Sequence, residues 1–250
     1  MMQMPRRYEK APIKEAIIDL RVTLPEGFTV NQIADIHPSI KDGFPTIEPF
    51  YKGVGAFFYQ PGSSFKVDTS ERQIGFWFRS GDNVQTCQTT LEGFSFNRLA
   101  PYESWEKFSS EAKNLWAIYT KICNPIQVTR VAVRYINQIN IPANEVIELK
   151  DYLNTVPEVS SKLSQKTLQS FFMQLQIPQQ DLGCMLTINE AIAPPADPEM
   201  VTVILDLDLF RQQVWDSDDE DIWSLLEKLR DRKNEVFEAS ITDKTRELIN

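Results

Sequence analysis

One histidine, His37, stands in 250 residues, and that scarcity removes more chemistry than any other feature of the chain. A serine or cysteine nucleophile generally needs a neighbouring base. The only imidazole precedes Pro38 directly, so a hydrolytic triad is disfavoured. Three cysteines, Cys87, Cys123 and Cys184, are too few and too scattered for a zinc cluster or a disulfide framework. No GxGxxG or GxxxxGKS/T stretch occurs, so ordinary nucleotide cradles lack their glycines. No run of about 18 apolar residues is present, and the opening MMQMPRRYEKAPIKEA has two arginines without an apolar segment behind them. The expectation is a soluble, cytoplasmic protein with reduced thiols, and no cofactor, metal or catalytic residue is assigned.

What is there reads as globular. Hydrophobic residues make up 42%, aromatics 11% and charged residues 24%, enough for one large domain or two of ordinary size. Net charge is −9, and its placement is uneven. Residues 1–122 carry 14 Lys/Arg and 14 Asp/Glu, whereas 123–250 carry 12 and 21. From Asp197 to Asp221 nine acids face the single base Arg211. Such a field repels phosphate backbones over about 8 Å in physiological salt, which disfavours nucleic acid as a partner.

The pattern along the chain suggests a duplication. PIKEAIIDLRVTL (12–24) alternates with a period of two, a strand with one apolar face. A short helix ending before Pro38 follows, then strand-like runs at 54–59, 65–69, 73–79, 84–90 and 94–99 with turns such as Pro61-Gly62 between them. Tyr102 to Ile122 places Trp105, Phe108, Ala112, Leu115, Trp116 and Tyr119 at helical spacing. The order then restarts: IQVTRVAVRYINQINI (126–141) alternates, a helical run ends at Leu153, strands are expected at 166–177, 184–188 and 200–210, and helices at 222–237 and 242–249. Leu24-Pro25 falls on Ile141-Pro142 at an offset of 117, and Trp105 on Trp223 at 118. The expected fold is α+β, with two similar halves, 1–122 and 123–250. Each half is an antiparallel sheet with a short helix after its first strand and a long C-terminal helix on one face, and the opening strands can join the two sheets into one continuous layer.

Four phrases carry a family resemblance: APIKEAIIDLRV, FNRLAPYESWEKF, TRVAVRYINQINIP and VFEASITDKTRELIN. Together they resemble a sporadically distributed, uncharacterised prokaryotic protein family of about this length, across nearly the whole chain. The positions that fit its pattern are Glu15, Arg21, Arg98, Tyr102, Trp105, Arg130, Arg134, Tyr135 and Asn137. The resemblance implies an accessory protein of scattered distribution and brings no activity with it.

Two constellations stand out. The first joins the polar sides of the two opening strands, Glu15, Asp19 and Arg21 with Arg130, Arg134 and Gln138, and adds Asp206 and Asp208 from VTVILDLDLF. One reading is a ladder of cross-strand ion pairs. The other is a groove whose arginines fork onto a carboxylate or phosphate ligand. The second is the run Asp216, Asp218, Asp219, Glu220 and Asp221. Placed before a helix, these acids complement its dipole and need no metal. They also offer a surface to a basic protein. The leading expectation is therefore a non-enzymatic binding or regulatory protein, an accessory or antitoxin-like factor of a mobile or defence locus that binds a basic protein partner. The alternative classes are a ligand-binding or enzymatic domain at the arginines, and a self-assembling homo-oligomer.

Overall fold

The alternation at 12–24 produces a strand. β1 (Ile13–Thr23) buries Ala16, Ile18, Leu20 and Val22 on one side and turns Glu15, Ile17, Asp19 and Arg21 to the other. The computed structural model describes residues 6–58, 66–143, 147–165 and 168–250, without the side chains of 54–58 and 66–70. The Pro61-Gly62 turn and the side chains of Phe57 and Phe58 lie outside the described residues. After β1 come α1 (Val30–Ile33), a 3-10 turn (Ala34–Ile36) and α2 (His37–Ile40), then β2 (Thr46–Phe58), β3 (Lys66–Arg79), β4 (Gln85–Thr90), β5 (Gly93–Leu99) and α3 (Trp105–Cys123). β6 (Gln127–Pro142), a 3-10 turn (Leu149–Asp151), β7 (Phe172–Gln179), β8 (Cys184–Ala193), β9 (Met200–Trp215), α4 (Asp221–Ser240) and α5 (Asp243–Ile249) complete the order.

All nine strands belong to one antiparallel sheet in the order β2-β3-β4-β5-β1-β6-β9-β8-β7. This overturns the expectation of two similar halves, each with a long C-terminal helix, while the opening strands do join into one continuous layer. β1 and β6 pair with Ile17 opposite Arg134 and Arg21 opposite Arg130, so the backbone ladder runs unbroken through the middle of the molecule. Separate sheets would have left both strands with unpaired edges. The composition of the two stretches also differs. Among the described residues five strands come from before residue 123 and four from after it, and the second stretch has a 3-10 turn where the first has α1 and α2. The final helix expected at 242–249 is α5, which receives the backbone N–H of Lys10 on the carbonyl of Ile249.

Several boundaries moved for local reasons. Pro38 does not stop the helical path, because it falls in the first turn of α2, where a missing N–H costs nothing. β2 and β3 are longer than the short runs expected. β7 begins at Phe172 rather than 166. α3 starts where Ser104 accepts from the Lys107 amide and stops at Asn124, whose φ of 46° breaks the helix before Pro125.

The helices lie on the face of Ala16, Ile18 and Leu20. Phe96 stacks on Phe108 of α3 at 5.3 Å, Phe94 meets Trp116 at 5.5 Å, and His37 at the start of α2 lies 5.9 Å from Phe78. Ile222, Leu225, Leu226 and Leu229 of α4 are buried, and α4 packs on β6 and β9. Val131, Val133, Leu205, Leu207 and Leu209, all fully buried, supply the sheet side of that contact. At about 1.5–3 kcal/mol for each such side chain, this layer carries the fold.

Candidate functional site

The opposite face of the sheet bears side chains from every strand but carries none of the helix contacts just described. Register fixes its rows. Trp77, Gln88, Ser95, Asp19, Ala132, Phe210 and Met185 stand in one line across β3, β4, β5, β1, β6, β9 and β8. Arg79, Thr86, Asn97, Ile17, Arg134, Asp208 and Thr187 form the next. Of the expected site residues, Glu15, Asp19, Arg21, Arg130, Arg134, Gln138, Asp206 and Asp208 all fall on this face.

At its centre the charges satisfy one another. Arg130 donates to Asp19 and, at 2.9 Å, to Asp208, while its guanidinium lies 4.4 Å from the centre of the Phe210 ring. Arg134 grips Asp206 with two parallel bonds of 2.8 and 2.7 Å. Asp206 also accepts from Asn189 at 2.9 Å, and Asn189 accepts from Gln174 at 2.7 Å, which carries the lattice to the edge strand. On the other side Asn97 donates to Glu15 at 2.7 Å and accepts from Ser95 at 2.8 Å. Gln138 donates to Asn140. Burial pushes the Asp208 carboxyl up despite the arginines beside it, and the Asp206 bond holds Arg134 further into its charged form. The guanidiniums are thus spent on internal carboxylates, and a ligand has to displace Asp206 or Asp208 to reach them.

A hollow of about 220 Å³ opens beside this lattice, across β1, β5, β4, β3 and β2. Gly75 and Gly93 lie in its row. A Cβ on Gly93 meets the Leu20 carbonyl oxygen at 2.4 Å, and one on Gly75 meets that of Thr89 at 2.0 Å, so neither position accepts a side chain while the strands stay this close. Arg21, Lys52, Glu92 and Asp19 supply the charge, and Phe50, stacked 4.9 Å from Trp77, supplies an apolar wall. Lys52 and Arg21 both reach Glu92, at 2.9 and 3.5 Å, and hold its carboxyl below the usual range. Arg21 and Lys52 remain about half exposed.

Sequence reasoning missed Asn189, Gln174, Asn97, Lys52, Glu92 and Phe50. Parity along β8 groups Thr187 with Asn189, but the neighbour of each strand is a tertiary fact. The family-like positions divide between the faces. Glu15, Arg21, Arg130 and Arg134 lie on the open one. Under the helices, Tyr102 and Tyr135 share a 2.9 Å hydroxyl contact, Arg98 bonds Glu103 at 2.7 Å, Asn137 donates to the Leu205 carbonyl at 3.0 Å, and Trp105 receives Arg230 at 5.6 Å. His37 is held by structure too: its Nε2 lies 3.1 Å from the Phe44 carbonyl.

The acidic stretch 197–221 is not one surface. β9 separates its ends by about 50 Å at ~3.3 Å per residue, and Asp206 and Asp208 in between are neutralised as described. What remains together is the turn before α4, where Asp216, Asp218, Glu220 and Asp221 are exposed. There Asp219 accepts from the Asp221 amide at 2.8 Å, and Glu220 pairs with Lys113 of α3 at 2.7 Å. Among the described residues no group of three or more His, Cys, Asp or Glu is arranged to hold a metal, and no helix is long and apolar enough to cross a membrane.

Comparison with known proteins finds no counterpart: no family model, no curated protein and no solved structure matches this chain. Its function therefore has to be argued from the two faces of the sheet.

Proposed function

We propose that this chain is a non-enzymatic binding protein, an accessory or antitoxin-like factor whose uncovered sheet face and adjoining acidic turn hold a protein partner with basic groups. The observation that carries the reading is the one-sided layering: a nine-stranded sheet with its helices on one face presents a broad, rigid, hydrogen-bonded surface on the other. Rigidity matters because a preorganised surface loses little side-chain entropy on binding. Positive and negative groups alternate across it, so it selects a partner by charge register rather than by net attraction. Asp216, Asp218 and Asp221 add an exposed negative edge.

The test is affinity capture from the native host, repeated with two variants. One carries Asp216→Asn, Asp218→Asn and Asp221→Asn; the other carries Arg21→Glu and Lys52→Glu. A specific basic partner held by the wild type, lost from the first variant and retained by the second, which only adds negative charge to the face, supports the reading. Absence of any partner above background, or equal recovery by all three proteins, removes it.

The hollow favours a second reading, in which Arg21 and Lys52 take a small carboxylate or phosphate ligand against Phe50. Thermal-shift screening with such anions decides it. A shift abolished by Arg21→Ala and Lys52→Ala supports the site, and identical shifts in wild type and variant exclude it.

A further inference from the structure

β7 forms one edge of the sheet, and from Thr167 to Gln180 the sequence holds no charged residue. Exposed edges of this length are ordinarily guarded by charge, proline or a bulge. The guard here is Pro178 alone, and it stands near the end of the strand. Phe172 is 71% exposed and Ile177 39%.

The ladder shows which backbone groups face outward. Ile192 donates to the Phe171 carbonyl, so Phe171 and Ile192 form a hydrogen-bonded pair. Antiparallel pairing alternates. Met173, Leu175 and Ile177 therefore bond to β8, while the N–H and C=O groups of Phe172, Gln174 and Gln176 point away from the sheet. Pro178 falls in the outward set, where its missing N–H takes nothing from β8.

We propose that a second copy of this chain pairs with β7 antiparallel, about a two-fold axis through Gln174. In that register Gln174 faces Gln174 of the other copy and Phe172 faces Gln176. Every outward N–H of these residues meets an outward carbonyl. The side chains agree with the backbone. On the helix side, Phe171 comes opposite Ile177 and Met173 opposite Leu175, apolar on apolar. On the open side, two Gln174 amides meet and Phe172 covers a Gln176 stem. No like charges are brought together, which is what an isologous contact requires of a surface that meets itself. Because the axis is normal to the sheet, both helix layers stay on one side and the two polar faces join into a single platform.

Light scattering after size exclusion on the full-length chain gives the mass. The wild type is expected at twice the chain mass, and Gln174→Lys, which sets two ammonium groups face to face at an exposed position, at the chain mass with an unchanged circular dichroism spectrum. Register is read by cross-linking. Cα atoms of a hydrogen-bonded pair lie about 5.5 Å apart, within disulfide reach, so Gln174→Cys forms a covalent dimer on mild oxidation. Gln176→Cys, four residues from its own copy in this register, does not. A wild type that stays monomeric throughout a concentration series overturns the proposal. So does a Gln174→Lys protein that remains dimeric, or a Gln176→Cys protein that cross-links as fast as Gln174→Cys.

Discussion

Glu190 offers the sharpest test of how this sheet is loaded. It lies on the helix side of β8, opposite Leu205 of β9 and Met173 of β7, with 1% of its surface exposed. Among the described residues neither carboxylate oxygen has a hydrogen-bond partner. Burial alone pushes its pKa from 4.5 up to about 7. A folded-state value above the unfolded one means that the native protein holds the proton more tightly. The stability this confers is fully present below pH 4.5 and is lost as pH rises through about 7. At about 1.4 kcal/mol for each tenfold change in proton affinity, the cost above pH 7 is ~3 kcal/mol. Glu190→Gln keeps the shape and removes the ionisation. Urea unfolding of both proteins across the pH range is expected to show near-equal stability in acid and an advantage of ~3 kcal/mol for the variant in mild alkali. A difference between the two that is constant with pH refutes the reasoning, because it would mean that Glu190 titrates alike in folded and unfolded chains.

Lys233 should behave in the opposite sense. It is a buried residue of α4 with its ammonium 3.7 Å from the centre of the Tyr135 ring, and burial together with Arg230 pushes its pKa down to about 7. Its cost grows as pH falls from 10.5 and is complete below about 7, so Lys233→Met is expected to stabilise neutral and acidic solutions by about 3 kcal/mol after allowing for the lost cation–π contact. Urea midpoints check this, and no gain below pH 7 counts against it. Taken with Glu190, the wild type should show a dip in stability near pH 7. Arg134→Ala leaves Asp206, whose side chain is 7% exposed, with only its Asn189 hydrogen bond and should cost ~1–3 kcal/mol. Adding Asp206→Leu should recover most of that loss, and a thermal melt showing no recovery would mean that the pair does not act as a unit. Cys87 and Cys123 are both buried, with thiols pushed up by burial, Cys123 to about 12. Thiol reagents should label them only as fast as the chain unfolds, and rapid native labelling would contradict the packing.

The two faces of each strand were legible in the sequence because strand side chains alternate strictly. Ala16, Ile18 and Leu20 went to the core and Asp19 and Arg21 to the other side, as their parity demands. The long helix over Trp105 to Cys123 and the acidic start of α4 were equally visible, since each is written in local spacing and in the residue types at the helix start. Local pattern does not say which strand lies beside which. The sequence allowed the two opening strands to lie side by side, but the register in which ten residues of β1 find partners on β6, across more than a hundred positions of chain, is encoded by no periodicity within either strand. The same pairing decided the chemistry. In the sequence Arg130 and Arg134 read either as rungs of an ion-pair ladder or as forks open to a ligand, and the placement of β1 and β9 on either side of β6 turned them inward to Asp19, Asp208 and Asp206. Composition and alternation determined what each residue could bury; long-range hydrogen bonding alone determined which charges meet.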